Sequence, residues 1–162
     1  MSTSSTRLEA AVSRPAWRRW LPVVIWLAII FTASTALFTP QHTSAFIEPI
    51  LRAIAPHADE RTIGRLHHFV RKIGHVVEYA ILAALLARAT LAMRATRRWW
   101  FVASLLLLAA VAASDEFHQL FVPGREGQIS DVLLDITAGM AVLVPILIFR
   151  HLAAKKPSNA RQ

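Results

Sequence analysis

The chain has no cysteine among its 162 residues. That excludes a disulfide framework and any thiolate metal centre. Acidic residues are scarce as well, with ten Asp and Glu against eighteen Lys and Arg, a formal net charge of +8. In a water-soluble chain this excess would point to nucleic acid. Here the basic residues flank apolar runs, so the excess reads as membrane topology and contact with anionic headgroups, and no nucleic-acid partner is expected. Glycine is rare too, at five residues, and no glycine-rich phosphate loop follows a strand. There is no internal repeat and no low-complexity tract, and the length suits a single domain.

What the chain does have is four long apolar stretches, at about 20–38, 73–93, 99–122 and 130–149. Each is close to the ~20 residues that a helix needs to cross a ~30 Å hydrocarbon core. Trp17, Trp20, Trp99 and Trp100 sit at their ends, where interfacial anchors belong. The first stretch is longer than the apolar core of a signal peptide, so it reads as a span. The expected fold is all-α: a polytopic bundle of four transmembrane helices over 17–150, between polar tails at 1–16 and 151–162. Basic residues cluster before the first span (Arg18, Arg19), between the second and third (Arg94, Arg97, Arg98) and after the fourth (Arg150, Lys155). The positive-inside rule therefore places both termini in the cytoplasm. The first external loop has its own pattern. Phe46, Ile47, Ile50, Leu51 and Ile54 recur at helical spacing, and Ile63, Leu66, Val70 and Ile73 do so again. These predict two short amphipathic helices lying on the outer interface, with Pro56 ending the first.

Ionisable residues lie inside or at the edge of these spans, and a charge at membrane depth is costly enough to mark a functional site. Measured at 1.5 Å per residue from the basic or Trp residue at the cytoplasmic end of each span, Ser34, Glu78, Asp115 and Asp135 all lie about 22–24 Å up. His75, His118 and Asp131 lie about 28 Å up. His75 and Glu78 are three residues apart, as are Asp115 and His118, and Asp131 and Asp135 are four apart. Each pair thus shares a helix face, and the faces are expected to converge inside the bundle, away from lipid. Glu116 points about 100° from Asp115, so one of the two is expected to face the site and the other a neighbouring helix or the headgroups. Gly139, beside Ala138, lets a partner helix approach the fourth span closely. The Pro-Gly turn between the third and fourth spans is expected outside, with Arg125 above the polar layers and Arg71 and Lys72 at the same rim. Cations over acids serve as counter-charges or clamp an anionic group such as a phosphate.

These residue types admit several chemistries. Glu78, Asp115, Glu116, His75 and His118 are acid–base candidates, since crowded carboxylates raise one another's proton affinity. Lys72, Arg125, Ser34, Gln119, Asp131 and Asp135 are candidates for binding a substrate. A purely structural network is the plainer alternative, although an interhelical hydrogen bond in a membrane is worth only about 0.6 kcal/mol on average. His75-x-x-Glu78 and Asp115-x-x-His118 share the spacing of the diiron bundles, with Asp131 and Asp135 as further ligands, but one runs in reverse order and histidine–carboxylate pairs are common without a metal; no metal and no cofactor is expected. A proton or ion path is disfavoured because the polar residues do not continue into the cytoplasmic half, except at Arg88.

The motifs also match a known pattern. Ser114-Asp115-Glu116-Phe117-His118-Gln119-Leu120-Phe121-Val122-Pro123-Gly124-Arg125, followed by Asp131-Val132-Leu133-Leu134-Asp135, closely resembles the signature of VanZ-like membrane proteins. Lys72-Ile73-Gly74-His75-Val76-Val77-Glu78-Tyr79 matches that family's second-helix motif, and Thr32-Ala33-Ser34-Thr35 looks like the end of its first helix without the doubled serine. The resemblance covers roughly 20–150. It implies a small multi-pass protein of the bacterial inner membrane. The founding member's association with low-level teicoplanin resistance makes membrane lipids and a lipid-linked cell-wall precursor the expected partners. It leaves open whether such a molecule is processed or only held.

Overall fold

The structure, a computed structural model, describes residues 17–35, 48–122 and 127–155. Within these the chain forms α1 (Trp17–Ala33), a short helical segment α2 over 48–54, α3 (Glu60–Leu91), α4 (Trp100–Gln119) and α5 (Ile129–Lys155). The all-α expectation holds. The tails at 1–16 and 156–162, the stretch 36–47 with Phe38, Phe46 and Ile47, and the turn residues 123–126 with Arg125 lie outside the described residues.

The second span differs from its expected form. α2 falls where the first short loop helix was expected, but the second is not a separate helix. The pattern Ile63, Leu66, Val70 runs straight into the span as one 32-residue helix, α3, about 48 Å long. The sequence between Glu60 and Ile73 contains no proline, and Gly64 and Gly74 are both tolerated within the helix, so nothing forces a break. Its start is set by Asp59, whose carboxylate accepts from Thr62 N at 3.0 Å, a side-chain cap on an otherwise unpaired backbone donor. That bond holds the Asp59 carboxyl below its usual range. Two helices, α4 and α5, are long and apolar enough to cross a membrane. α1, at 17 residues, is shorter than the expected span, and α3 carries charge along its first half.

α3 is the central element, packed against α1, α4 and α5, and α4 also packs on α5. The core is assembled from Leu82, Ala83, Leu86, Leu108, Ala112 and Leu143, all fully or almost fully buried. Trp26 of α1 donates its indole N–H to the carbonyl of Glu78 at 2.9 Å, and Arg19 donates to the carbonyl of Ala92. Thr90 and Ser104 join α3 to α4 through a buried 3.0 Å hydroxyl pair. Outside this core the helices leave large apolar side chains exposed, among them Val24, Ile25, Phe31, Leu106, Ile148 and Phe149.

The α4–α5 contact depends on Gly139. A Cβ there would collide with the side chain of Leu108, which has no free surface into which to move. Overpacking of this kind costs about 1–3 kcal/mol. Gly139→Leu is therefore expected to lower the thermal midpoint of the detergent-solubilised protein, and Leu108→Ala in the same chain to restore part of the loss. Additive losses would show that the two sites do not touch.

Candidate functional site

The polar residues gather at the end of the bundle where α3 and α5 begin their packed segments and α4 finishes. Three cross-helix links define it. Lys72 Nζ lies 3.0 Å from Asp131 Oδ1, and His75 Nδ1 lies 3.4 Å from Asp135 Oδ2. Arg71 donates to Gln119 Oε1 at 3.2 Å, while Gln119 Nε2 donates to Asp115 Oδ2 at 3.0 Å. The rim therefore consists of Arg71, Lys72, Gln119 and Asp131. One helical turn deeper come His75, Asp115, Glu116 and Asp135.

This register corrects the layering read from helix rise. Counting from span ends placed His75 level with Asp131 and left Asp135 a turn below. The structure pairs His75 with Asp135 and Asp131 with Lys72. α3 and α5 run parallel here with their motifs offset by one turn. The depth marks were at fault: α3 ends at Leu91 and α5 continues to Lys155, so Arg94 and Arg150 do not sit at equal heights.

Glu116 is covered by a neighbouring segment of the chain, not by headgroups. Asp115 and Glu116 are both buried, at 5% and 4% exposure, so neither faces the headgroups. Adjacent residues on one helix escape lipid together only where neighbours cover both faces. Here the start of α5 folds back over Glu116, whose Oε2 accepts from Gln128 N at 2.9 Å. Gly127 makes that approach possible, since a Cβ would press on the Glu116 carbonyl and on Leu120.

The remaining candidates scatter more. His118 does not join His75 and Asp135; it is half-buried and stacks on Phe31 of α1, with ring centroids 4.6 Å apart. Ser34 is buried at the end of α1. Glu78 is half-buried on α3. Tyr79, which follows Glu78 in the second-helix motif, is fully buried, its ring nearly parallel to His75 at 6.4 Å. Its position four residues after His75, on the same helix face, was the available signal.

Two features give this centre chemical capacity. Buried polar atoms without any hydrogen-bond partner among the described residues concentrate here: Asp115 Oδ1, Glu116 Oε1, Asp135 Oδ1, the Tyr79 hydroxyl, His118 Nε2 and Ser34 Oγ. Interior polar groups are rarely left unpaired without a functional reason. The other feature is an apolar crevice of about 490 Å³ between α1 and α4, lined by Leu27, Ile30, Phe31, Leu107 and Val111 and ending at Ser114 and Asp115. It opens a lipid-facing path to one carboxylate of the polar centre. Among the described residues His75, Glu116 and Asp135 are also the group whose ligand atoms lie close enough to share a cation, all within 4.8 Å of one another.

The described helices thus form a bundle with a buried acid–imidazole centre and an apolar side crevice. The family model for VanZ/LLP1 matches residues 19–150, and the chain belongs to that family. Family membership and the two apolar helices together make it a membrane protein. No curated protein and no solved structure matches it.

Proposed function

We propose that the protein recognises a lipid-linked or headgroup-bearing molecule of the cell envelope at the outer leaflet of the bacterial inner membrane. The observation that carries this reading is the crevice between α1 and α4: an apolar slot of about 490 Å³ ending on Asp115, a surface suited to an acyl or prenyl chain. Arg71 and Lys72 stand at the rim above, and Lys72 keeps ammonium donors beyond its bond to Asp131. A molecule with a lipid tail and an anionic head is complementary to that pairing of surfaces. Glu78, Asp115, Glu116, His75 and His118 supply the acid–base groups if the bound head is processed; Arg125, outside the described residues, is a further candidate for the anion clamp from the sequence. The resistance associated with the family's founding member fits an envelope precursor.

In this reading α1, α3, α4 and α5 each cross the bilayer, with the first part of α3 standing above it. Both termini lie in the cytoplasm. At the opposite end of the bundle Arg18, Arg19 and Arg88 line a cavity of about 570 Å³, the basic surface that anionic cytoplasmic headgroups favour. Because the chain has no cysteine, a single cysteine at the exposed Gln128 reports orientation cleanly. A membrane-impermeant maleimide is expected to label it in intact cells, and labelling only in inverted vesicles would reverse the orientation.

The central test is a comparison of lipid-linked precursors between a deletion strain and its complemented parent, with native mass spectrometry of the purified protein for co-purifying lipid. A precursor that changes in abundance on deletion, and a lipid adduct lost when Ser114→Trp blocks the crevice, are expected. Unchanged precursor levels and no lipid adduct would end the proposal. Incubation with the identified lipid then separates processing from holding. A structural role is the second reading, favoured by the Lys72–Asp131, His75–Asp135 and Arg71–Gln119 links that join three helices; the unpartnered oxygens beside those links oppose it.

A further inference from the structure

Three helices each contribute one side chain to a single buried point. His75 comes from α3, Glu116 from α4 and Asp135 from α5, and one ligand atom from each lies within 4.8 Å of the other two. All three are buried, at 9%, 4% and 0% exposure. Asp135 Oδ1 and Glu116 Oε1 have no hydrogen-bond partner among the described residues. The rim cations do not relieve them, since Lys72 is bonded to Asp131 and Arg71 to Gln119.

Two buried carboxylates this close beside an imidazole cannot both be charged in a low-dielectric interior without compensation, by protons or by a bound cation. Uncompensated burial of that kind is strongly unfavourable. A divalent cation would neutralise both charges and fill the vacant oxygen positions in one step. We propose that His75, Glu116 and Asp135 form a binding site for one divalent transition-metal ion, Zn²⁺ or Mn²⁺. One imidazole with two carboxylates is a donor set for these ions, whereas Mg²⁺ and Ca²⁺ take oxygen ligands.

The geometry suits the proposal in three respects. Ligand bonds of about 2.0–2.2 Å put neighbouring donor atoms roughly 3–3.5 Å apart, so the trio, now within 4.8 Å, needs only small shifts to close on an ion. Glu116 is already oriented: its Oε2 accepts from Gln128 N, the outer-shell anchoring that metal-binding carboxylates show. Three protein ligands also leave coordination positions open, as in sites where the metal meets a water or a substrate oxygen.

The trio differs from the spacing motifs that the sequence offers. His75-x-x-Glu78 and Asp115-x-x-His118 would have recruited Glu78 and His118. The trio takes Asp135, which the sequence offers only as a further ligand beside Asp131, and Glu116, which those motifs omit. The expectation of no metal weighed motifs on single helices, whereas the proposed arrangement exists only across three.

The proposal stands apart from the lipid reading and is tested on its own. The full chain is purified in detergent without chelator and its metal content measured. It is then stripped with EDTA and titrated with ZnCl₂, MnCl₂ or MgCl₂ while thermal unfolding is followed. About one equivalent of Zn²⁺ or Mn²⁺ per chain is expected, with a rise in midpoint of about 5 °C on readdition and little response to Mg²⁺. His75→Gln and Asp135→Asn are expected to lose both the metal and the response, while Ser104→Ala, deeper in the bundle, keeps both. Should the variants fail to fold, Co²⁺ added to the stripped wild-type chain reports directly: visible absorption saturating at one equivalent is expected. No thermal response, no stoichiometric Co²⁺ spectrum, or retention of the metal by both folded variants would each overturn the site. A chain that binds the metal but no lipid would separate this inference from the proposed function.

Discussion

Asp135→Asn is expected to abolish the effect of the protein on precursor levels while leaving it inserted and folded. Asp135 has no exposed surface, touches His75 through one oxygen and leaves the other unpartnered. Asparagine preserves its shape and can still accept from His75, so packing is kept and only the charge goes. A group held charged in a buried site for function commonly lowers stability, and its removal is then neutral or stabilising. The chelated variant should thus unfold at the same temperature as the chelated parent or higher, and a deletion strain carrying it should match the empty strain. Asp115→Asn should behave alike, because Asp115 meets the crevice and also has one vacant oxygen. The informative failure is a variant that complements fully yet melts earlier: that result would make these carboxylates part of a network that only holds helices together.

Removing Lys72 is expected to produce the largest loss of stability of any single change at the rim. Its ammonium sits 3.0 Å from Asp131, whose side chain is 8% exposed, while that of Lys72 is 36% exposed. Lys72→Met leaves a nearly buried carboxylate without its counter-charge. Breaking a fully buried pair costs about 3–5 kcal/mol; the water that reaches Lys72 reduces this to about 1–3 kcal/mol. Replacing both partners, Lys72→Met with Asp131→Leu, should recover most of the loss, because the unpaired charge disappears with its partner. Reversible unfolding in mild detergent checks this. If the double variant is as unstable as the sum of the single ones, the two side chains do not interact and the α3–α5 register described here is wrong. The double variant should still lose lipid recognition if Lys72 belongs to the anion clamp, which separates stability from binding.

Much of the architecture could be read from apolar periodicity. The helices α4 and α5 fall close to their expected places because long apolar runs bounded by Trp99 and by the turn before Ile129 admit little else. The continuity of α3 was hidden. A basic amphipathic stretch from Glu60 to Lys72 has the composition of an interfacial helix, and composition does not tell whether the backbone bends before Ile73. The site was legible in part: His75, Asp115, Glu116, Asp131 and Asp135 were visible as ionisable residues in apolar surroundings. Tyr79 was passed over because aromatic residues near span ends are common anchors, and a periodicity argument does not reveal that it is fully buried.

Residue types and their local spacing by themselves determined that this chain is helical, that it seeks a bilayer and that it carries acids and imidazoles where they are costly, because each of those properties depends on neighbours within a turn or two. Only the tertiary structure decided which acid meets which imidazole. A one-turn slide of α5 against α3 leaves every local pattern intact yet exchanges Asp131 for Asp135 beside His75, and the return of the chain at Gly127 alone brings Glu116 inward. Such choices are made by packing between helices, through contacts like Gly139 on Leu108, and packing across the bundle leaves no periodic trace in a single strand of sequence.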